Sequence, residues 1–103
     1  MRVRRRYYIL DGDHVAIPVD VLTWARWLET ADRHVGRTVL DGVVVSTVFL
    51  GLNHSYGDRH AARHIFETMV FGGPLDEECE RYATWAQAEA GHAAMVARVQ
   101  ASK

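Results

Sequence analysis

Cysteine occurs once, at Cys79, and proline twice, at Pro18 and Pro74. A single thiol excludes an internal disulfide framework and every zinc motif built on cysteine pairs, leaving only a bridge between two chains. No apolar run approaches the roughly 18–20 residues that a spanning helix needs. The arginine-rich start, MRVRRRYY, leads into a strand-like segment and a DGD turn. The expectation is a cytoplasmic protein without membrane contact. P-loop, GxGxxG, GxSxG and CxxC motifs are all missing, so the usual signatures of nucleotide binding, hydride transfer and acyl transfer are not found. No cofactor is implied.

What is present is an ordinary globular composition, 49% hydrophobic and 24% charged over 103 residues. That length makes a single domain, 1–103, with one core. The net charge of −1 is unevenly spread, with Arg2, Arg4, Arg5 and Arg6 preceding the first acid. The rest of the chain is therefore acidic, whereas a nucleic-acid binder would be basic as a whole. The acidic run Asp76, Glu77, Glu78 and Glu80 offers the arginines a structural use, as two oppositely charged edge strands lying side by side.

Taken in order, residues 7–10 and 14–17 are short β-prone runs around Asp11-Gly12-Asp13, and Asp-Gly is a strong hairpin signal. Pro18 closes the second run. Asp20 is a good N-cap for a helix that ends before Gly36, read as its C′ residue. Val21, Trp24, Ala25, Leu28, Ala31 and Val35 form the apolar stripe of that helix. A second Asp-Gly, at Asp41-Gly42, joins a run at 38–40 to the long strand VVVSTVFLGL. Both faces of that strand are largely apolar, which predicts a central position in a sheet. If helices cover one sheet face only, the other needs a cover, and a homodimer through the open face supplies one.

Residues 65–71 form the next strand, placing Glu67 on one face with Ile65 and Met69. An edge strand is expected at 78–83. Thr84-Trp85-Ala86-Gln87 then fits the T-x-x-Q capping box and starts a helix over 85–100. The fold class expected is α+β: an antiparallel sheet of about five strands in the order ββαβββα, with both helices packed on one face.

A few polar residues break the pattern. Asp32 and His92 each fall within an apolar stripe, and a buried hydrogen-bonded pair between them would lift the desolvation cost each would bear alone. Trp27, with His34, lies on a helix flank and suits either boundary packing or stacking against a ring. The loop 53–64 holds His54, Tyr56, Asp58, His60 and His64, three of the six histidines. His60 and His64 are four apart, so with His54 they could share a metal if that stretch were helical, although the glutamate of HExxH is missing. The candidate binding residues are His54, Tyr56, His64, Glu67 and Trp27; no catalytic residue can be named. The αβββα order is also that of double-stranded RNA-binding domains, but TWAQAEAG lacks the lysines that hold phosphates there.

At VSTVFLGLNH, FETMVFGG and RYATWAQAEAGH the chain resembles a group of small hypothetical proteins of bacteria and their phages. In that group a strand ending STVFLGLxH, a loop, FETMVF and a RYxTWxEAxxGH-type segment follow in this order. The resemblance covers about residues 22–99 and carries no activity with it. His54, Glu67, Thr68, Trp85 and His92 fall on matching positions. The group's loop is rich in glycine and proline, so His60 and His64 depart from it, which weakens a metal role. The reading that follows is a non-enzymatic interaction or ligand-binding protein, dimeric, of phage or prophage origin and acting on a host protein. The competing class is a small enzyme, or a nucleotide- or metal-binding protein, using the loop 53–64 and Glu67.

Overall fold

The computed structural model describes residues 6–53 and 64–102. Its elements are β1 (Tyr7–Leu10), β2 (Ala16–Val19), α1 (Val21–Thr30), β3 (His34–Leu40), β4 (Val43–Phe49), β5 (Phe66–Phe71), β6 (Cys79–Tyr82) and α2 (Trp85–Ala101). The α+β class holds, but not the single five-stranded sheet. The strands form two antiparallel sheets, a hairpin β1-β2 and a four-stranded sheet in the order β3-β4-β5-β6.

The main sheet is a meander set by its turns. Asp41 and Gly42 both adopt positive φ, 48° and 81°, the twist a tight hairpin between β3 and β4 requires. The alternation along β4 is clean: Val43, Val45, Thr47 and Phe49 are buried while Val44, Ser46 and Val48 are half-buried. The buried row faces α2, which lies across all four strands and contributes Ala88, Met95 and Val99 to the core. Thr84 caps α2 by accepting from the Gln87 N–H at 3.1 Å, and the Gln87 side chain accepts from the Ala83 N–H at 3.1 Å. The N-cap half is the one the T-x-x-Q spacing calls for, while the return bond goes to the N–H of Ala83, one residue before the cap, instead of that of Thr84.

The hairpin is stitched to the main sheet by the segment after β4. The Tyr8 N–H donates to the Gly51 carbonyl at 2.7 Å and the Asn53 N–H to the Arg6 carbonyl at 2.9 Å. Gly51 turns the chain there at φ 70°, and a Cβ would meet the Trp24 indole nitrogen at 2.5 Å. β4 therefore stops at Phe49, short of the ten-residue strand expected.

Helix α1 also ends early. Asp32 accepts from the His34 N–H at 3.0 Å, a local side-chain bond that competes with helical hydrogen bonding and turns the chain into β3. Gly36 is then a strand residue and not a helix cap. Nor does α1 share the sheet with α2. It packs on β1, has no fully buried residue, and reaches the main core through Trp27, whose ring meets Phe49 edge-on at 5.5 Å. Among the described residues the sole strand neighbour of β6 is β5, and the expected pairing of the arginine-rich start with the acidic edge falls on Arg2, Arg4 and Arg5, which lie outside the described residues.

Candidate functional site

Two groups of polar side chains are built into the main sheet, one beneath α2 and one on the opposite face, which no described helix or strand covers. The first is continuous. Thr47 and Thr68 lie opposite each other on β4 and β5, both fully buried, with their hydroxyls hydrogen-bonded. The Tyr82 hydroxyl donates to Thr68 Oγ1 at 3.2 Å. His92, projecting from the middle of α2, meets Thr47 Oγ1 through Nδ1 at 2.8 Å and Thr38 Oγ1 through Nε2 at 2.9 Å. Burial pushes the imidazole below its ordinary pKa and so favours the neutral ring. One orientation then serves every group: Tyr82 donates to Thr68, Thr68 to Thr47, Thr47 to Nδ1, and the Nε2–H to Thr38.

Two glycines make room for this chain. A Cβ at Gly36 would sit 3.0–3.1 Å from the His92 ring, and one at Gly91 would sit 2.2 Å from the Tyr82 ring and hydroxyl. The expected Asp32–His92 pair is thereby corrected. Asp32 is fully exposed at the start of β3 and bonds His34, through the backbone N–H and through Nδ1 at 3.2 Å. These bonds, the backbone one foremost, hold its carboxyl below the usual range. His92 is satisfied by threonines because α1 ends before it can bring Asp32 near α2.

The uncovered face is read off the strand register. Val39, Val44 and Phe71 form one row across β3, β4 and β5; Arg37, Ser46, Met69 and Cys79 form the next; His34, Val48, Glu67 and Arg81 form the third. The first row is an apolar strip, with Val39 54% and Phe71 50% exposed. The third is polar: Arg81 Nε donates to Glu67 Oε2 at 3.0 Å, and His34 carries Asp32 beside it. Cys79 stands near Glu67, and burial followed by that carboxylate pushes its thiol up, away from the reactive thiolate.

Of the residues singled out from sequence, Glu67 lies on this open face, in its polar row. His64 is half-buried just before β5. Trp27 packs into the apolar cluster, which leaves its ring a core role. His54, Tyr56, Asp58 and His60 lie outside the described residues, and among the described residues no three His, Cys, Asp or Glu side chains are grouped to hold a metal. Thr38, Tyr82 and Gly91 were not picked out; Thr68 entered only as a matching position of the resemblance and Gly36 only as a helix cap. The available signal was a hydroxyl at the inward position of each of two central apolar strands, Thr47 in STVF and Thr68 in ETMV.

A cavity of about 230 Å³ lies between the hairpin and the start of α2, bounded by Phe66, Thr84 and Trp85, with His14 stacked on Trp85 at 3.8 Å. It is smaller than the roughly 300–1,000 Å³ of typical ligand pockets. Comparison of the chain with protein-family models, with curated proteins and with solved structures returns no match.

Proposed function

We propose that this is a non-catalytic binding protein that works as a homodimer joined through the open face of the β3-β6 sheet. The observation that carries the reading is the apolar strip of Val39, Val44 and Phe71, two of whose three side chains keep half their surface in water. Such a strip is stabilised by a protein cover. A second copy, rotated about an axis that crosses the strands along Val39, Val44 and Phe71, lays strip on strip and leaves the polar row of each protomer outside the contact.

In this reading the polar end of the face, with Glu67 and the adjoining loop 53–64, is the surface offered to a further protein. The motif resemblance to small phage and bacterial proteins supports a host protein, met in the cytoplasm, as that partner. Removing the remaining water-exposed half of Val39 and Phe71 contributes about 1 kcal/mol per side chain. Light scattering after size-exclusion chromatography is the test. The wild type is expected at twice the chain mass, and a Val39→Asp, Phe71→Asp variant at the monomer mass with an unchanged circular dichroism spectrum. A wild type that is monomeric at all concentrations would overturn the dimer.

A further inference from the structure

The His92 cluster joins a titratable ring to a helix-sheet contact, and its surroundings decide what a proton does there. α2 rests on all four strands of the main sheet. The inward positions of β3, β4 and β5 carry threonine, glycine or apolar residues and no titratable group. From β6 come Tyr82, bonded to Thr68, and Glu80, which is exposed at its edge. On α2 itself the nearest charges are Glu89, one turn back, and Arg98, more than a turn beyond, both exposed. Both ring nitrogens are taken by hydroxyls, so no carboxylate is bonded to the ring to neutralise an added charge.

A proton on Nδ1 also reverses the hydrogen-bond chain. Nδ1–H must donate to Thr47, so Thr47 must turn its own proton to Thr68. Thr68 must then turn its own proton to the Tyr82 oxygen, and the displaced Tyr82 hydrogen has no acceptor within the cluster. The charged ring is thus both unpaired in charge and in conflict with its partners. The ring is half-buried in the folded chain, and movement of α2 away from the sheet, exposing it fully to water, relieves both.

We propose that the contact of His92 with Thr38 and Thr47 is a proton-sensitive latch, which holds the middle of α2 on the sheet when the ring is neutral and releases it when the ring is protonated. Because the folded-state pKa is lowered, the unfolded or opened chain binds more protons in the window just below the ordinary value of 6.5. The latch is therefore fully engaged above that value and is lost as pH falls through the lower folded-state value.

Hydrogen exchange of the full chain, measured by mass spectrometry at about pH 7.5 and about pH 5 and corrected for intrinsic rates, tests this on peptides from α2. The wild type is expected to lose protection severalfold in α2 at the lower pH, and more there than in β4. His92→Gln, whose amide hydrogen-bonds but does not titrate, is expected to lose none. Equal behaviour of the two proteins, or unchanged wild-type protection, overturns the latch. If the variant does not fold, NMR titration of the wild-type ring decides. An Nε2–H tautomer that titrates below the ordinary value of 6.5, together with shifts of the α2 amides, supports the proposal. Titration at or above that value, or without a response in α2, refutes it.

Discussion

Gly91→Ala separates local helix propensity from tertiary fit, because the two give opposite signs. Gly91 lies in the interior of α2, where alanine is favoured over glycine by about 1 kcal/mol. The added Cβ, however, would stand 2.2 Å from Tyr82 Cζ and Oη and 2.3 Å from Cε1. Carbon atoms in contact prefer about 3.5–4.0 Å. The ring must swing away by more than an ångström, and it is held between Gly91 of α2 and Thr68 of β5, with its hydroxyl on Thr68. Displacing it costs about 1 kcal/mol for the hydrogen bond and about 1–3 kcal/mol for the disturbed packing. Net destabilisation of about 1–3 kcal/mol is expected, and each kcal/mol lowers Tm by about 4–8 °C in a domain of this size. Urea unfolding of wild type, Gly91→Ala, Tyr82→Ala and the double variant measures it. In the Tyr82→Ala background the same alanine should stabilise, by up to about 1 kcal/mol. A Gly91→Ala protein as stable as wild type, or more so, would refute the close packing of Tyr82 on Gly91.

Two further substitutions probe the polar chain. Thr47→Val keeps the shape of the side chain but strands His92 Nδ1 and the Thr68 hydroxyl in the core, so a loss of about 2–4 kcal/mol is expected from denaturant unfolding; a change within error would mean that the hydroxyls are not organised as described. Asp32→Ala removes an exposed carboxylate bonded, among the described residues, to His34 alone, so the His92 ring resonances and the unfolding midpoint should stay in place, and a shift in either would revive a link between Asp32 and His92.

The parts of the fold that local chemistry controls were legible. Thr84 and Gln87 announce the start of α2, Asp41-Gly42 the β3-β4 hairpin, and the alternation of VVVSTVF the central strand. The parts that failed are those where a residue's usual local meaning gave way to a distant neighbour. Gly36 reads as a helix stop by every local rule. In the structure it is a strand residue, and its missing Cβ is needed by the ring of His92, far along the chain, which reaches Thr38 in the same cluster.

That single reassignment also moves the candidate site. With the first helix extended to Gly36, Asp32 would ride an apolar stripe and require a buried partner, for which His92 was the available choice. With the helix ended by the Asp32 side chain itself, the carboxylate is at the surface and the histidine's partners must come from the sheet. Thr47 and Thr68 could have been named from sequence, since two threonines on the inward faces of adjoining strands leave hydroxyls that a core must satisfy. Naming the donor that reaches them required knowing which helix lies across those strands, and α1 and α2 compete for that position on hydrophobic pattern alone. What decides between them is the hairpin: β1 and β2 form a separate sheet that takes α1, which with the hairpin meets the main sheet around Phe49, leaving the inner face at Thr47 and Thr68 to α2 and to the one polar side chain in its buried stripe.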